Sequence, residues 1–156
     1  MRLLVGLGNP GEKYENTRHN AGFFVADELQ KGNLPKDFIV RKSDVFMNES
    51  GSFVRSLYTK YHIQNTDLYI AHDDLDIPLG SYKIQFGVGP KVHNGINSVE
   101  SEIGTKDFWR VRIGVDNRKP EDRVSGEDYV LQDFTEEERK ILGKVVKEAS
   151  AILLRQ

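Results

Sequence analysis

The sequence contains no cysteine, which excludes disulfides, thiol nucleophiles and zinc sites built on thiolate ligands. No apolar run approaches the roughly 18 residues that a membrane-spanning helix needs. Met1-Arg2-Leu3-Leu4-Val5 leads into a glycine turn rather than a signal-peptide cleavage site, so a cytoplasmic protein without membrane partners is expected. An excess of positive charge is also lacking. Twenty-two Lys and Arg stand against 24 Asp and Glu, a formal net charge of -2, so only a local basic patch can hold a nucleic acid. With no repeat, linker or low-complexity stretch, the 156 residues are read as one domain spanning 1–156. Its chemistry must rest on oxygen and nitrogen groups.

Arg2 to Leu7 is a short apolar run that stops at Gly8-Asn9-Pro10-Gly11, the pattern of a buried strand feeding a loop. Thr17 is positioned to cap a helix with Ala21, Phe24, Val25 and Leu29 inward, and Gly32, Asn33 and Pro35 stop it. Phe38-Ile39-Val40 reads as a brief strand, and Phe53, Val54, Leu57, Tyr58 and Tyr61 mark one face of a second helix. Leu68-Tyr69-Ile70-Ala71 is again apolar and ends abruptly in His72-Asp73-Asp74, as at a strand's carboxyl end beside a site. Tyr82 to Phe86 makes a further strand. A loop with Gly87, Gly89, Pro90 and Gly95 then leads to a helix ending near Ile103, and Trp109 to Ile113 alternates as a strand does. Thr135 and Glu138 form a capping box for a terminal helix whose stripe is Ile141, Leu142, Val145, Val146, Ala149, Ile152 and Leu153. Strands alternating with helices predict an α/β fold: a single three-layer domain, a mixed twisted sheet with helices on both faces.

Gly6-Leu7-Gly8-Asn9-Pro10-Gly11 superficially resembles a dinucleotide fingerprint, but Pro10 removes an amide donor where a phosphate cradle needs one. A tight strand-to-loop turn explains it better. His19 falls in the first turn of the first predicted helix, where the helix dipole disfavours imidazolium and keeps a basic nitrogen available. Asp73 is the natural carboxylate to accept a hydrogen bond from the ring's other nitrogen and fix its tautomer. Asn9, Asn48 and Asn94 sit at turn-like positions. Turn preference explains such asparagines taken singly, yet an amide donates and accepts without competing for the base's proton. One base, one acid and three amides suit ester hydrolysis by water, with neither metal nor covalent intermediate.

Several motifs occur together and in order: GLGNPGEKYENTRHNAG from Gly6 to Gly22, VFMNESG from Val45 to Gly51, AHDDLDIPLG from Ala71 to Gly80, HNG from His93 to Gly95, and WRVRIGV from Trp109 to Val115. With these the chain resembles the bacterial peptidyl-tRNA hydrolases. The resemblance implies an enzyme that cuts the ester between a peptide and its tRNA, with peptidyl-tRNA as its partner and no cofactor or metal. It implies His19 as general base, Asp73 as its orienting acid, and Asn9 as the group that tells a blocked peptidyl ester from a free aminoacyl one. Tyr14, Phe46, Asn48 and Asn94 would contact the peptidyl end or the terminal nucleotide, and Asn48 or Asn94 would also donate to the oxyanion. Lys83, Arg110 and Arg112, with Lys91 as a further candidate, form the expected tRNA footprint, because phosphate contacts need Lys or Arg. A monomer is the default expectation.

The chain also departs from the family. Lys91-Val92 replace the usual glycine pair before HNG, in a loop that normally tolerates positive φ. Ser43 stands where a proline is common, and Gln85 where relatives carry a basic tRNA-contacting residue. The connection after the first helix is roughly twenty residues shorter than in most relatives, which suggests a missing edge hairpin. Two rival functions share the scaffold: an RNA-binding protein that has lost hydrolysis, and a small-molecule esterase for other N-blocked esters. Retention of His19, Asp73, Asn9, Asn48 and Asn94 favours the enzyme, since a pure binder needs no such set.

Overall fold

A computed structural model describes residues 1–156. Five strands form one sheet in the order β2-β1-β3-β5-β4: β1 is Arg2–Gly6, β2 Phe38–Lys42, β3 Leu68–Pro78, β4 Tyr82–Phe86 and β5 Trp109–Asp116. All neighbours run parallel except β4, which pairs antiparallel with β5. The helices are α1 Ala21–Lys31, α2 Ser50–Lys60, α3 Asn94–Ile103, α4 Gly126–Val130 and α5 Glu136–Arg155. From β1 the chain passes outward to β2, and from β3 it passes to the other side, so the connections diverge between β1 and β3. In an open α/β sheet, a crevice forms at the carboxyl ends of two such strands. Asn9 and Asp73 lie there.

Alternation along the strands divides the apolar residues between two layers. Leu4, Tyr69, Ala71, Val111 and Ile113 face α1 and α5, joining Val25, Leu29, Leu142 and Val146 in a core of 18 buried residues. Leu3, Val5, Leu68 and Ile70 face the other way and meet Val54, Ile96 and Val99 of α2 and α3 in a core of 11. This is the three-layer arrangement expected from the sequence. Leu4 is fully buried, so Leu4→Ala is expected to cost about 2–5 kcal/mol through lost burial and a residual cavity. Gly22 brings α1 against the sheet: a Cβ there would collide with the Ala71 carbonyl of β3 and the Leu7 backbone. That close approach carries the preceding turn, with His19, to the edge of β3.

Thr17 does not cap α1. It precedes a separate 3-10 turn, Arg18–Asn20, and its hydroxyl donates backward to the Tyr14 carbonyl at 2.9 Å. β3 does not end at His72-Asp73-Asp74 but continues to Pro78, because β5 pairs with it through Asp74 and, after a register shift, again at Pro78. Ile141 is 42% exposed and sits at the margin of the α5 stripe, while the capping box of Thr135 and Glu138 is present. No hairpin separates β2 from α2; the chain passes directly into a 3-10 turn at Met47–Glu49. Lys91 and Val92 occupy ordinary negative-φ backbone, since the single non-glycine residue at positive φ is His62, so this loop does not need the glycine pair.

Candidate functional site

A cavity of about 530 Å³ opens at the β1–β3 crevice, lined among others by Asn9, His19, Phe46, Asn48, Asp73 and Asn94. His19 and Asp73, 54 residues apart, meet there: His19 Nδ1 donates to Asp73 Oδ2 at 2.8 Å. The other carboxylate oxygen, Oδ1, accepts from His93 Nε2, also at 2.8 Å. Sequence reading singled out Asn94 and passed over His93. A histidine just before a helix reads as a capping residue, and it is one: the Ile96 N–H donates to His93 Nδ1.

That cap fixes the proton positions. With Nδ1 accepting from the backbone, Nε2 of His93 must carry hydrogen and can only donate to Asp73. Asp73 in turn requires Nδ1–H on His19, which leaves Nε2 of His19 without a protein partner in a side chain lining the cavity. Next along β3, His72 is fully buried and donates Nδ1–H to the Asp73 carbonyl at 2.8 Å. Burial first, then the neighbouring His93, pushes the His72 imidazole down to about 3, so it stays neutral.

Burial acts against the charged forms of both His19 and Asp73, and in both it is outweighed. Asp73 is held well below the ordinary carboxylate range by the attraction of, and hydrogen bonds from, His19 and His93. His19 is raised above the ordinary imidazole value by the Asp73 charge and hydrogen bond. The sequence expectation had the opposite sign, because it relied on the dipole of a helix whose first turn His19 does not occupy; the carboxylate at 2.8 Å dominates.

His19, Asp73 and His93 bring donor atoms within 4.8 Å of one another, a spacing that could hold a metal ion. The donor set fits poorly. Nε2 of His93 offers a lone pair only if its proton leaves, and Nδ1 already faces the Ile96 N–H and cannot take that proton up. Coordination there would break the α3 cap or require an imidazolate.

Asn9 is buried and rigidly oriented. Its Oδ1 accepts from the Met47 N–H at 2.8 Å, so the amide nitrogen is what it offers to the cavity. Its backbone is clasped by the Asn20 side chain, which accepts from Asn9 N–H at 2.8 Å and donates to Asn9 C=O at 3.0 Å. Asn48 and Asn94 are exposed lining residues whose carboxamides have no protein partner. Phe46 lines the cavity at 52% exposure. Tyr14 does not line it, but packs edge-on against Phe46 with ring centroids 6.2 Å apart.

The expected tRNA footprint is not assembled as one exposed patch. Arg110 is 1% exposed, ion-paired to Glu100 at 3.0 Å and donating to the Lys106 and Phe108 carbonyls. Arg112 is 6% exposed and donates to Asp74 and to Gln85, both at 2.7 Å. A guanidinium so engaged has no fork left for a phosphate. Lys83 is exposed on the edge strand β4, and Lys91 is exposed on the loop before α3, with its backbone N–H on Asp76.

Comparison with known proteins points in one direction. A family-wide model described as Peptidyl-tRNA hydrolase matches residues 3–155. A curated relative from Sulfurihydrogenibium sp., named peptidyl-tRNA hydrolase, is 37% identical over 171 positions, covering 99% of this chain and 89% of its own length. Its namesake from Mycolicibacterium gilvum is 40% identical over 167 positions, covering 95% and 86%. The crystal structure of peptidyl-tRNA hydrolase from Acinetobacter baumannii superposes with a TM-score of 0.83 at 30% identity, covering 99% of this chain and 88% of that one. A [NiFe] hydrogenase maturation protease from Thermococcus kodakarensis, at 11% identity and a TM-score of 0.56, shares the fold alone.

Proposed function

Because the chain belongs to the peptidyl-tRNA hydrolase family, we propose that it hydrolyses the ester of peptidyl-tRNA with a water activated by His19, without a metal, and so returns free tRNA to translation. The observation that carries this reading is the bridging of His19 and His93 by the Asp73 carboxylate, which leaves His19 Nε2 without a protein partner in a side chain that lines a cavity also offering amide groups. Nε2 removes a proton from water as the oxygen attacks the ester carbonyl. Asp73 stabilises the imidazolium that forms and holds the ring in one orientation. Asn48 or Asn94 donates to the developing oxyanion, where one donor is worth about 10²–10³ in rate. The intermediate then collapses: the bond from the carbonyl carbon to the ribose oxygen breaks, and the His19 proton goes to that oxygen. The peptide leaves as a carboxylic acid, which gives its remaining proton to solvent, and the tRNA leaves with a free terminal hydroxyl.

Asn9, with its amide nitrogen directed inward, suits recognition of a peptidyl carbonyl that a free aminoacyl ester lacks. Phe46, backed by Tyr14, offers a face on which an unpaired terminal base or an apolar side chain can stack. The phosphate contacts fall to exposed lysines, Lys83 and Lys91, because Arg110 and Arg112 are engaged inside the protein. The proton-locked tautomer of His93 supports metal independence. The test is hydrolysis of N-acetyl-aminoacyl-tRNA in the presence of a chelator, compared with the unblocked aminoacyl-tRNA and with an N-blocked aminoacyl ester lacking tRNA. Rapid turnover of the first alone is expected. Failure of the chain to cleave it, or strict dependence on added divalent metal, would overturn the reading.

A further inference from the structure

His19 sits in a three-residue turn with no side-chain cap of its own, so the turn's position must come from its neighbours. On one side Asn20 clasps Asn9. On the other, Arg18 runs into the opposite half of the chain. Its backbone N–H donates to the Gln132 carbonyl, Thr17 bridges Asp133, and Phe134 N–H donates to the Asn16 carbonyl. The Arg18 guanidinium donates to Glu138 Oε1 at 2.8 Å and to the Tyr129 carbonyl at 3.2 Å, and lies 3.9 Å over the Tyr129 ring. Both charged side chains are nearly sealed from solvent, at 6% and 5% exposure.

Glu138 carries two tasks at once. It is the carboxylate of the α5 capping box, accepting from the Thr135 N–H at 2.8 Å, and it accepts from Arg18 and from Asn117 Nδ2 at 3.0 Å. This carboxylate is turned inward onto the residue next to His19, with Glu138 4% exposed. Tyr129, whose carbonyl Arg18 also holds, is followed by Val130 and Leu131, which line the cavity wall. A single buried ion pair therefore joins the His19 turn, a wall of the cavity and the capped start of the terminal helix.

We infer that Arg18 and Glu138 are positioning residues for the hydrolysis: their buried pair holds the His19 imidazole at the distance and angle at which Asp73 fixes its tautomer. The inference rests on the reading of His19 as the base. A misplacement of that ring by an ångström is enough to cost about a hundredfold in rate, and neither residue lines the cavity.

Three substitutions separate positioning from mere stability. Thr135→Ala removes the cap hydroxyl but leaves Glu138 on Arg18; a lower melting temperature with kcat within about twofold is expected. Glu138→Ala removes both cap and pair; kcat is expected to fall about 10–100-fold with a much smaller change in KM. Glu138→Gln keeps the shape, and Asn117 can flip its amide to match, so kcat is expected to recover most of the loss. Should Glu138→Ala not fold, Arg18→Lys takes its place, since an ammonium can pair with Glu138 but cannot also fork to the Tyr129 carbonyl and stack on its ring; the same loss of kcat is expected. In parallel, the ring proton on His19 Nδ1 is followed by NMR without substrate. It is expected to persist, hydrogen-bonded, in the wild type and Thr135→Ala, and to exchange away in Glu138→Ala or Arg18→Lys. An unchanged His19 ring signal and unchanged kcat in those variants would overturn the inference, as would an equal loss of kcat in Thr135→Ala. Because the ring signal needs no turnover, its outcome stays distinct from the failure of the hydrolase reading itself.

Discussion

Asp73 and Asp74 are consecutive residues of one strand, both almost fully buried, yet they belong to different kinds of site. Successive strand residues point to opposite faces, and what each carboxylate meets there decides its use. Asp73 meets two imidazoles: His93, fixed as a donor by its cap, and His19, whose protons can move. Asp74 meets the Arg112 guanidinium at 2.7 Å, whose protons cannot. The first joins two imidazoles at the cavity and, in the proposed reaction, steadies the proton that His19 takes up; the second ties β3 to β5 and, through Gln85, to the edge strand β4. Burial and residue type are shared, so the lesson is that the partner's chemistry separates a carboxylate suited to proton transfer from one suited to scaffold.

The largest effect should come from the base itself: His19→Ala is expected to lower kcat/KM for N-acetyl-aminoacyl-tRNA by about 10²–10⁴. The two neighbouring carboxylates should then respond in opposite ways. Asp73→Asn is expected to lower kcat by about a hundredfold through loss of ring orientation. Asp74→Asn should leave kcat within a few-fold while costing about 3–5 kcal/mol in denaturant titration, because Arg112 is left buried without its partner. Equal losses of kcat in the two would erase the distinction. A smaller effect appears in stability against pH. His19 holds its proton more tightly in the folded chain, so its pairing stabilises below the ordinary imidazole value and fades as pH rises through the raised one. Asp73, depressed on folding, stabilises above the ordinary carboxylate range, and that contribution is lost as pH falls toward its depressed value. Asp73→Asn should flatten both trends, as followed by melting temperature across pH. The smallest effect is expected on the edge strand: Lys83→Ala removes an exposed cation from β4, so the slope of log affinity for tRNA against log salt should flatten by about one, with kcat within about twofold.

Much of this molecule can be read from its residues. The strands at Leu3–Val5 and Leu68–Ala71 and the stripe of α5 are continuous or periodic apolar patterns, and burial alone dictates their placement. The meeting of His19 with Asp73 followed from resemblance, since no spacing rule joins residues 54 positions apart. Two features escaped for physical reasons. His93 looks like a helix-capping residue and is one; its second nitrogen reaches Asp73 only because α3 begins beside β3, although the HNG motif carried the signal. Arg110 and Arg112 look solvent-facing because they alternate with apolar residues in β5, but Glu100 and the loop through Gly89 pack on Arg110, while Asp74 and Gln85 of the neighbouring strands hold Arg112. Strand alternation reports which face a side chain is on, and only tertiary structure reports whether that face is wet.

The central claim is that the Asp73 carboxylate sets the proton affinity and orientation of His19 for attack by water. It is tested most directly by the pH dependence of kcat for N-acetyl-aminoacyl-tRNA in the wild type and in Asp73→Asn. The wild type should lose activity on the acid side with an inflection above the ordinary imidazole value, because Asp73 favours the protonated ring, and Asp73→Asn should shift that inflection downward while lowering the plateau. An acid limb that is unchanged by the substitution, or absent from the wild type, would contradict it.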